Sequence, residues 1–91
     1  MNTQSLTSRI QSKVKGNPNL SDAEFSMGVV SAIREVAEFE TADDFEMNEQ
    51  SLKRIRVHLE EFTAHVEGQM KAGYELVTSL VVEYMAEHES D

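Results

Sequence analysis

The chain has 91 residues, of which 40% are hydrophobic and 27% are charged, a composition typical of a folded domain rather than a disordered segment. Its 17 acidic and 8 basic residues give a formal net charge of −9, which disfavours direct binding to nucleic acid or to an anionic membrane surface. The length predicts one domain over 1–91, and the absence of cysteine excludes disulfides, thiol catalysis and cysteine-ligated zinc.

The first predicted element is an amphipathic helix over residues 3–15. Leu6, Ile10 and Val14 recur at intervals of four, and Gly16 follows where a helix commonly ends. Three apolar residues form a narrow stripe, so we expect residues 1–15 to be a loosely docked N-terminal helix. This segment does not resemble a signal peptide, and no apolar run in the chain is long enough to span a bilayer, which predicts a cytoplasmic protein.

A second helix is predicted over residues 22–39, after a loop that contains the single proline. Ser21 and Glu24 have the spacing of a capping box. The buried face is broad, and it consists of Phe25, Val29, Ala32, Ile33, Val36 and Ala37, widened by Met27, Val30 and Phe39. Gly28 interrupts this face at a cost of about 1 kcal/mol relative to alanine, which indicates either close helix approach or simple tolerance.

Acidic residues crowd the end of this helix and the connection that follows. Seven of them fall within fifteen residues that contain no base: Glu35, Glu38, Glu40, Asp43, Asp44, Glu46 and Glu49. We expect them to form a partner-binding surface. Thr41 or Asn48 is expected to cap the next helix, and Phe45 and Met47 are expected to pack against the core.

The remaining chain predicts helices over 49–71 and 75–88. The strongest periodic stripe in the sequence, expected to be an oligomer seam or core, is Leu52, Ile55, Leu59, Phe62 and Val66. After Val66 the phase slips and two glycines follow, Gly68 and Gly73. The pattern therefore predicts an all-α bundle of three to four helices, whose long C-terminal helix is either continuous or broken near Gly73, with the break favoured.

One basic cluster, Lys53, Arg54 and Arg56, lies on the third helix. We expect Glu49 to pair with Lys53 and Arg56 to pair with Glu60 along the helix, and Glu35 and Glu38 of the second helix to satisfy the remaining charge. A phosphate or nucleic-acid contact is the alternative. No aromatic residue is interleaved among them, so stacking on single-stranded nucleic acid is not supported.

No pattern in the sequence predicts catalysis. His58, Glu61 and His65 share one side of a helix, but their spacing matches no known metal motif, which favours solvated histidines and no metal. The chain has no nucleophile elbow and no glycine-rich phosphate loop. We therefore predict no catalytic residue, no cofactor and no enzymatic activity.

Charge and size together predict a protein–protein interaction module. In this hypothesis the chain is an adaptor or inhibitor that docks a basic surface on a larger protein, in its sharpest form as a nucleic-acid mimic. Such a module would suit a virus or a mobile element, and a homodimer is favoured. The alternative is a homo-oligomeric structural subunit, assembled through the stripe from Leu52 to Val66, in which the charge only keeps the particle soluble.

Overall fold

The computed structural model describes residues 5–89, and within them the chain folds as four α-helices and one short 3₁₀ turn. The helices are α1 (Leu6–Val14), α2 (Ala23–Glu40), α3 (Glu49–Thr63) and α4 (Gly68–Glu89), and the 3₁₀ turn covers Pro18–Ser21. No strand occurs in this part of the chain. The predicted small all-α bundle is confirmed.

The last two helices separate earlier than the expected position near Gly73. α3 ends at Thr63 and α4 begins at Gly68, so Gly73 lies inside α4. Gly68 has φ of +67°, and it is the one positive φ found between residues 5 and 89. Because glycine adopts this conformation without the steric penalty of a Cβ, the chain reverses here. The change in the spacing of apolar residues after Val66 therefore indicated the break between the two helices better than Gly73 did.

Side-chain caps fix where α2 and α3 begin. Asp22, not Ser21, is the N-cap of α2, because the Phe25 N–H donates to Asp22 Oδ1 at 3.0 Å. The Ser21 hydroxyl instead donates to the Pro18 carbonyl at 3.1 Å, so the expected capping box does not form. Of the two caps considered for α3, Asn48 is the one used, and it accepts from the Ser51 N–H at 2.9 Å.

The helix α1 is held at both its apolar face and its N-terminus. Leu6, Ile10 and Val14 are all buried in the core. The Glu40 carboxylate, at the end of α2, accepts from the N–H groups of Leu6 and Thr7 and from the Thr7 hydroxyl. An acid that is unfavourable at the C-terminus of its own helix is favourable at the N-terminus of another. Residues 3 and 4 of the predicted first helix lie outside the described residues.

The helix α4 is the centre of the bundle, and both α2 and α3 pack mainly on it. It approaches α2 very closely, because a Cβ on Gly28 would lie 2.3 Å from the Met70 carbonyl oxygen. A Cβ on Gly73 would lie 2.4 Å from the carbonyl oxygen of Phe25. Close helix approach therefore explains Gly28. The buried core consists of Leu6, Ile10, Val14, Phe25, Val29, Ala32, Ile33, Val36, Leu52, Ile55, Leu59, Tyr74, Val77, Leu80, Val81, Tyr84 and Met85.

Two apolar residues of α2 that we expected on its buried face lie on the outside instead. Met27 is 57% exposed and Val30 is 54% exposed. A single helix, α4, covers most of the apolar face of α2. The buried face of α2 is therefore narrower than we predicted from its apolar stripe. Phe39, Phe45 and Met47 do pack against the core as partly buried residues.

Candidate functional site

The connection between α2 and α3 carries a group of exposed acids, which we call the acidic connection. Its members are Glu38, Asp43, Asp44, Glu46 and Glu49, and all five are exposed. None of them forms an ion pair within the described residues. Among residues 5–89, no base therefore lies within ion-pairing distance of these carboxylates.

The other two acids of the predicted partner-binding set have internal roles. Glu40 caps α1, as described above, and Glu35 contacts His58, with Glu35 Oε1 and His58 Nε2 2.7 Å apart. Both side chains are partly buried. Five of the seven predicted acids are thus left facing solvent.

A row of rings bridges α2 and α3, which otherwise make few contacts with each other. The His58 ring lies edge-on between Phe39, at a centroid distance of 5.1 Å, and Phe62, at 5.0 Å. Phe62 stacks in turn on Tyr74 of α4 at 6.1 Å. His58 is therefore a packed bridging residue and not the solvated histidine that we expected.

An open groove runs along the outer side of α3, beside the end of α2. We call it the α3 groove, and it is lined by Phe39, Gln50, Lys53, Arg54, Val57, His58 and Glu61. Val57 lies away from the core and is 43% exposed. This groove was not predicted from the sequence, although Val57, an apolar residue off the periodic stripe of α3, was a visible signal for it.

The basic cluster does not pair with α2 as we expected. Within residues 5–89, Lys53 and Arg54 form no ion pair, so the expected pair of Glu49 with Lys53 is absent. The expected pair of Arg56 with Glu60, one turn further along α3, is present at 3.9 Å. Arg54 also lines two small clefts that it shares with Asp44 of the acidic connection. A basic and an acidic surface therefore adjoin at the start of α3.

The predicted seam lies largely inside the single chain. Leu52, Ile55 and Leu59 are fully buried, and α3 uses them to pack on α4. Val66 is partly buried and Phe62 is 39% exposed. A second copy of the chain could reach only the last part of this stripe.

The described residues show no arrangement typical of metal binding. No group of three or more His, Asp or Glu side chains in this part of the chain could hold a metal ion. His58 is turned toward Glu35, whereas His65 is exposed in the turn between α3 and α4. Between residues 5 and 89, no helix is both long enough and apolar enough to cross a membrane.

Comparison of the chain with protein-family models, with curated proteins and with solved structures finds no match.

Proposed function

We propose that this protein is a small interaction module that docks a basic surface of a larger protein through its acidic connection. The observation that supports this proposal is the exposure of five carboxylates without an ion-pair partner: Glu38, Asp43, Asp44, Glu46 and Glu49. Two neighbouring acids, Glu35 and Glu40, serve the fold. Of the remaining five, Glu49 lies in the first turn of α3, where an acid is favourable, and the carboxylates of the other four accept no hydrogen bond and form no ion pair among the described residues.

Solubility alone does not require this concentration of charge. A net charge with a magnitude of about 2 to 8 is ample for a small domain, whereas this chain has −9 and gathers much of it in one connection. A local field of this kind raises the association rate of a basic partner and is screened beyond about 8 to 10 Å at physiological salt. In the most specific form of the proposal, the carboxylates of the acidic connection mimic a nucleic acid and occupy the site on the partner that would bind one.

The alternative, a homo-oligomeric structural subunit, has less support. Its expected seam contains Leu52, Ile55 and Leu59, and the core of one chain already covers these residues. The expected homodimer stays a prediction, and it would need another surface. In this alternative the acidic connection affects solubility only.

The proposal is tested with the triple variant Asp43→Asn, Asp44→Asn and Glu46→Gln. Parent and variant are immobilised at equal density, and the proteins that they retain from cell extract are quantified by mass spectrometry. The leading retained protein is then purified and its affinity measured between about 50 and 300 mM salt. We expect a basic partner whose affinity falls with salt and falls at least about tenfold in the triple variant.

A matched control variant removes three acidic charges from another part of the surface. Glu67, Glu75 and Glu83 are exposed and lie in or beside α4, so changing all three to glutamine gives the same net charge. This control should bind the partner nearly as the parent does, with an unchanged helical circular dichroism spectrum. An affinity that is indifferent to salt, or that falls equally in both triple variants, would refute docking through the acidic connection.

A further inference from the structure

The α3 groove combines exposed apolar surface with positive charge that the chain does not neutralise. Phe39 and Val57 provide the apolar part, and Lys53 and Arg54 provide the charge. Neither base forms an ion pair within the described residues. Other bases of the described residues, among them Lys13 and Lys15, are also unpaired, but Lys53 and Arg54 lie together beside the apolar surface of one groove.

Arg9 is an example of a basic residue that has a structural role in this molecule. Arg9 of α1 pairs with Glu87 of α4 at 3.1 Å and lies 4.2 Å from the centroid of the Tyr84 ring. It therefore ties α1 to α4 by charge and by cation–π contact. Lys53 and Arg54 have no comparable contacts, although both are exposed beside a partly buried aromatic residue.

Four of the six α3 residues that line the groove form one row. Gln50, Arg54, Val57 and Glu61 are spaced by four, three and four residues, which places them on the same side of the helix. The row is about 16 Å long at 1.5 Å per residue, which corresponds to about three helical turns. Its dimensions suit an amphipathic helix that lies in the groove with its apolar face down.

We propose that the α3 groove binds an acidic amphipathic helix of a partner protein. The apolar face of that helix packs on Phe39 and Val57, and its carboxylates meet Lys53 and Arg54. Charge complementarity selects this occupant, because the two bases next to the apolar surface favour acids at the edge of the bound helix. This binding surface is distinct from the acidic connection, which would take a basic partner.

Two other occupants fit the surroundings of the groove less well. A nucleic acid would bring its continuous phosphate charge past Asp44 and Glu46, which share clefts with Arg54. A second copy of this chain would bring a net charge of −9 toward an equal charge. A short helix with its acids along one edge carries much less charge than either of these occupants, so the same repulsions act on it more weakly.

The proposal is tested with two synthetic peptides of about fourteen residues, long enough to fill three turns. Both have leucines at helical spacing on one face and are otherwise alanine-rich, and they differ only in carrying glutamate or lysine at the polar positions. Each is titrated into the isotope-labelled protein, and amide chemical shifts are followed by NMR. We expect saturable shifts with the glutamate peptide, centred on Gln50, Arg54, Val57 and Glu61, and at least about tenfold weaker binding of the lysine peptide.

Charge reversal then locates the contact. The double variant Lys53→Glu and Arg54→Glu should weaken binding of the glutamate peptide at least about tenfold. The control double variant Lys13→Glu and Lys15→Glu makes the same charge change on exposed residues at the end of α1 and just beyond it, and it should weaken binding less than about threefold.

Four outcomes would overturn the proposal. They are no saturable binding of the glutamate peptide, preferred binding of the lysine peptide, shifts centred on Met27 and Val30, and equal losses in the two double variants. Light scattering of the protein without peptide gives a further check. If the parent is a dimer and the double variant Lys53→Glu and Arg54→Glu is a monomer, the groove binds a second copy of the chain. Tighter binding of a short single-stranded DNA than of the glutamate peptide would assign it to nucleic acid.

Discussion

The helix α2 meets its two larger neighbours in opposite ways. On the side of α4 the backbones nearly touch, because Gly28 and Gly73 leave no room for a Cβ. On the side of α3 the helices stay apart and are bridged by side chains, chiefly the contact of His58 with Glu35 and with the Phe39 ring. The side of α2 that faces α4 is therefore closely packed, whereas the side that faces α3 leaves a groove and charged surface exposed to solvent.

The largest expected effect concerns the attachment of α3 to α4. Leu59→Asp places an unpaired charge at a fully buried position, so it should cost at least about 4 kcal/mol of a stability of about 5 to 15 kcal/mol. Urea unfolding followed by circular dichroism measures the loss. On the same helix, Val57→Asp changes a half-exposed valine and should cost less than about 1 kcal/mol. Equal losses in the two variants would mean that α3 is not anchored through this face.

The second prediction tests the close side of α2 directly. Gly73→Ala should lower the free energy of unfolding by about 1 to 3 kcal/mol, because the new Cβ would lie 2.4 Å from the Phe25 carbonyl oxygen and 2.8 Å from the Val29 nitrogen. Helix propensity acts in the opposite direction, since alanine is favoured over glycine by about 1 kcal/mol in a helix interior.

The matched control for this prediction is Gly16→Ala. No atom lies within 4 Å of the added Cβ at Gly16, so the change should be within about 0.5 kcal/mol. A Gly73→Ala variant that gains stability would show that propensity outweighs crowding. In that case α2 and α4 could move apart at little cost in free energy, and the two sides of α2 would no longer differ in how tightly they are packed.

The sequence predicted the elements that depend on local pattern and chemistry. The stripe beginning at Leu52 identified α3, and Asn48, its cap, was one of the two residues considered for that position. The clustering of carboxylates identified the exposed acids of the connection. Periodicity and capping involve residues within a few positions of one another, which is why they can be predicted, although the cap of α2 is Asp22 and not the expected Ser21.

Other features could not be predicted because they depend on which helices become neighbours. Glu40 looked misplaced at the end of α2 until the structure brought the N-terminus of α1 to it. His58 looked solvated because two of its contacts, Phe39 and Glu35, belong to another helix and cannot be recognised from the sequence around His58. Likewise, Gly73 looked like a break, although its lack of a Cβ serves the contact with α2. In each case the deciding partner is distant in sequence.

The smallest expected effect concerns the open side of α2, where His58 combines a polar contact with ring contacts. His58→Phe keeps a ring between Phe39 and Phe62 but removes the contact with Glu35, whereas His58→Ala removes both. We expect His58→Ala to cost about 0.5 to 1.5 kcal/mol more than His58→Phe, the value of the ring contacts. Urea unfolding of the two variants measures this difference.

The polar contact is isolated by combining His58→Phe with Glu35→Gln in a double-mutant cycle. The coupling energy should be below about 1 kcal/mol, because the His58 and Glu35 side chains are 32% and 21% exposed and water screens their interaction. A coupling well above that value would mean that the polar contact, rather than the rings, joins α2 to α3. Removing it would then move α3 and alter the α3 groove, so binding of an acidic helix and stability would fall together. With the weak coupling expected here, Glu35→Gln should leave the groove intact, and docking in it should depend on Lys53 and Arg54.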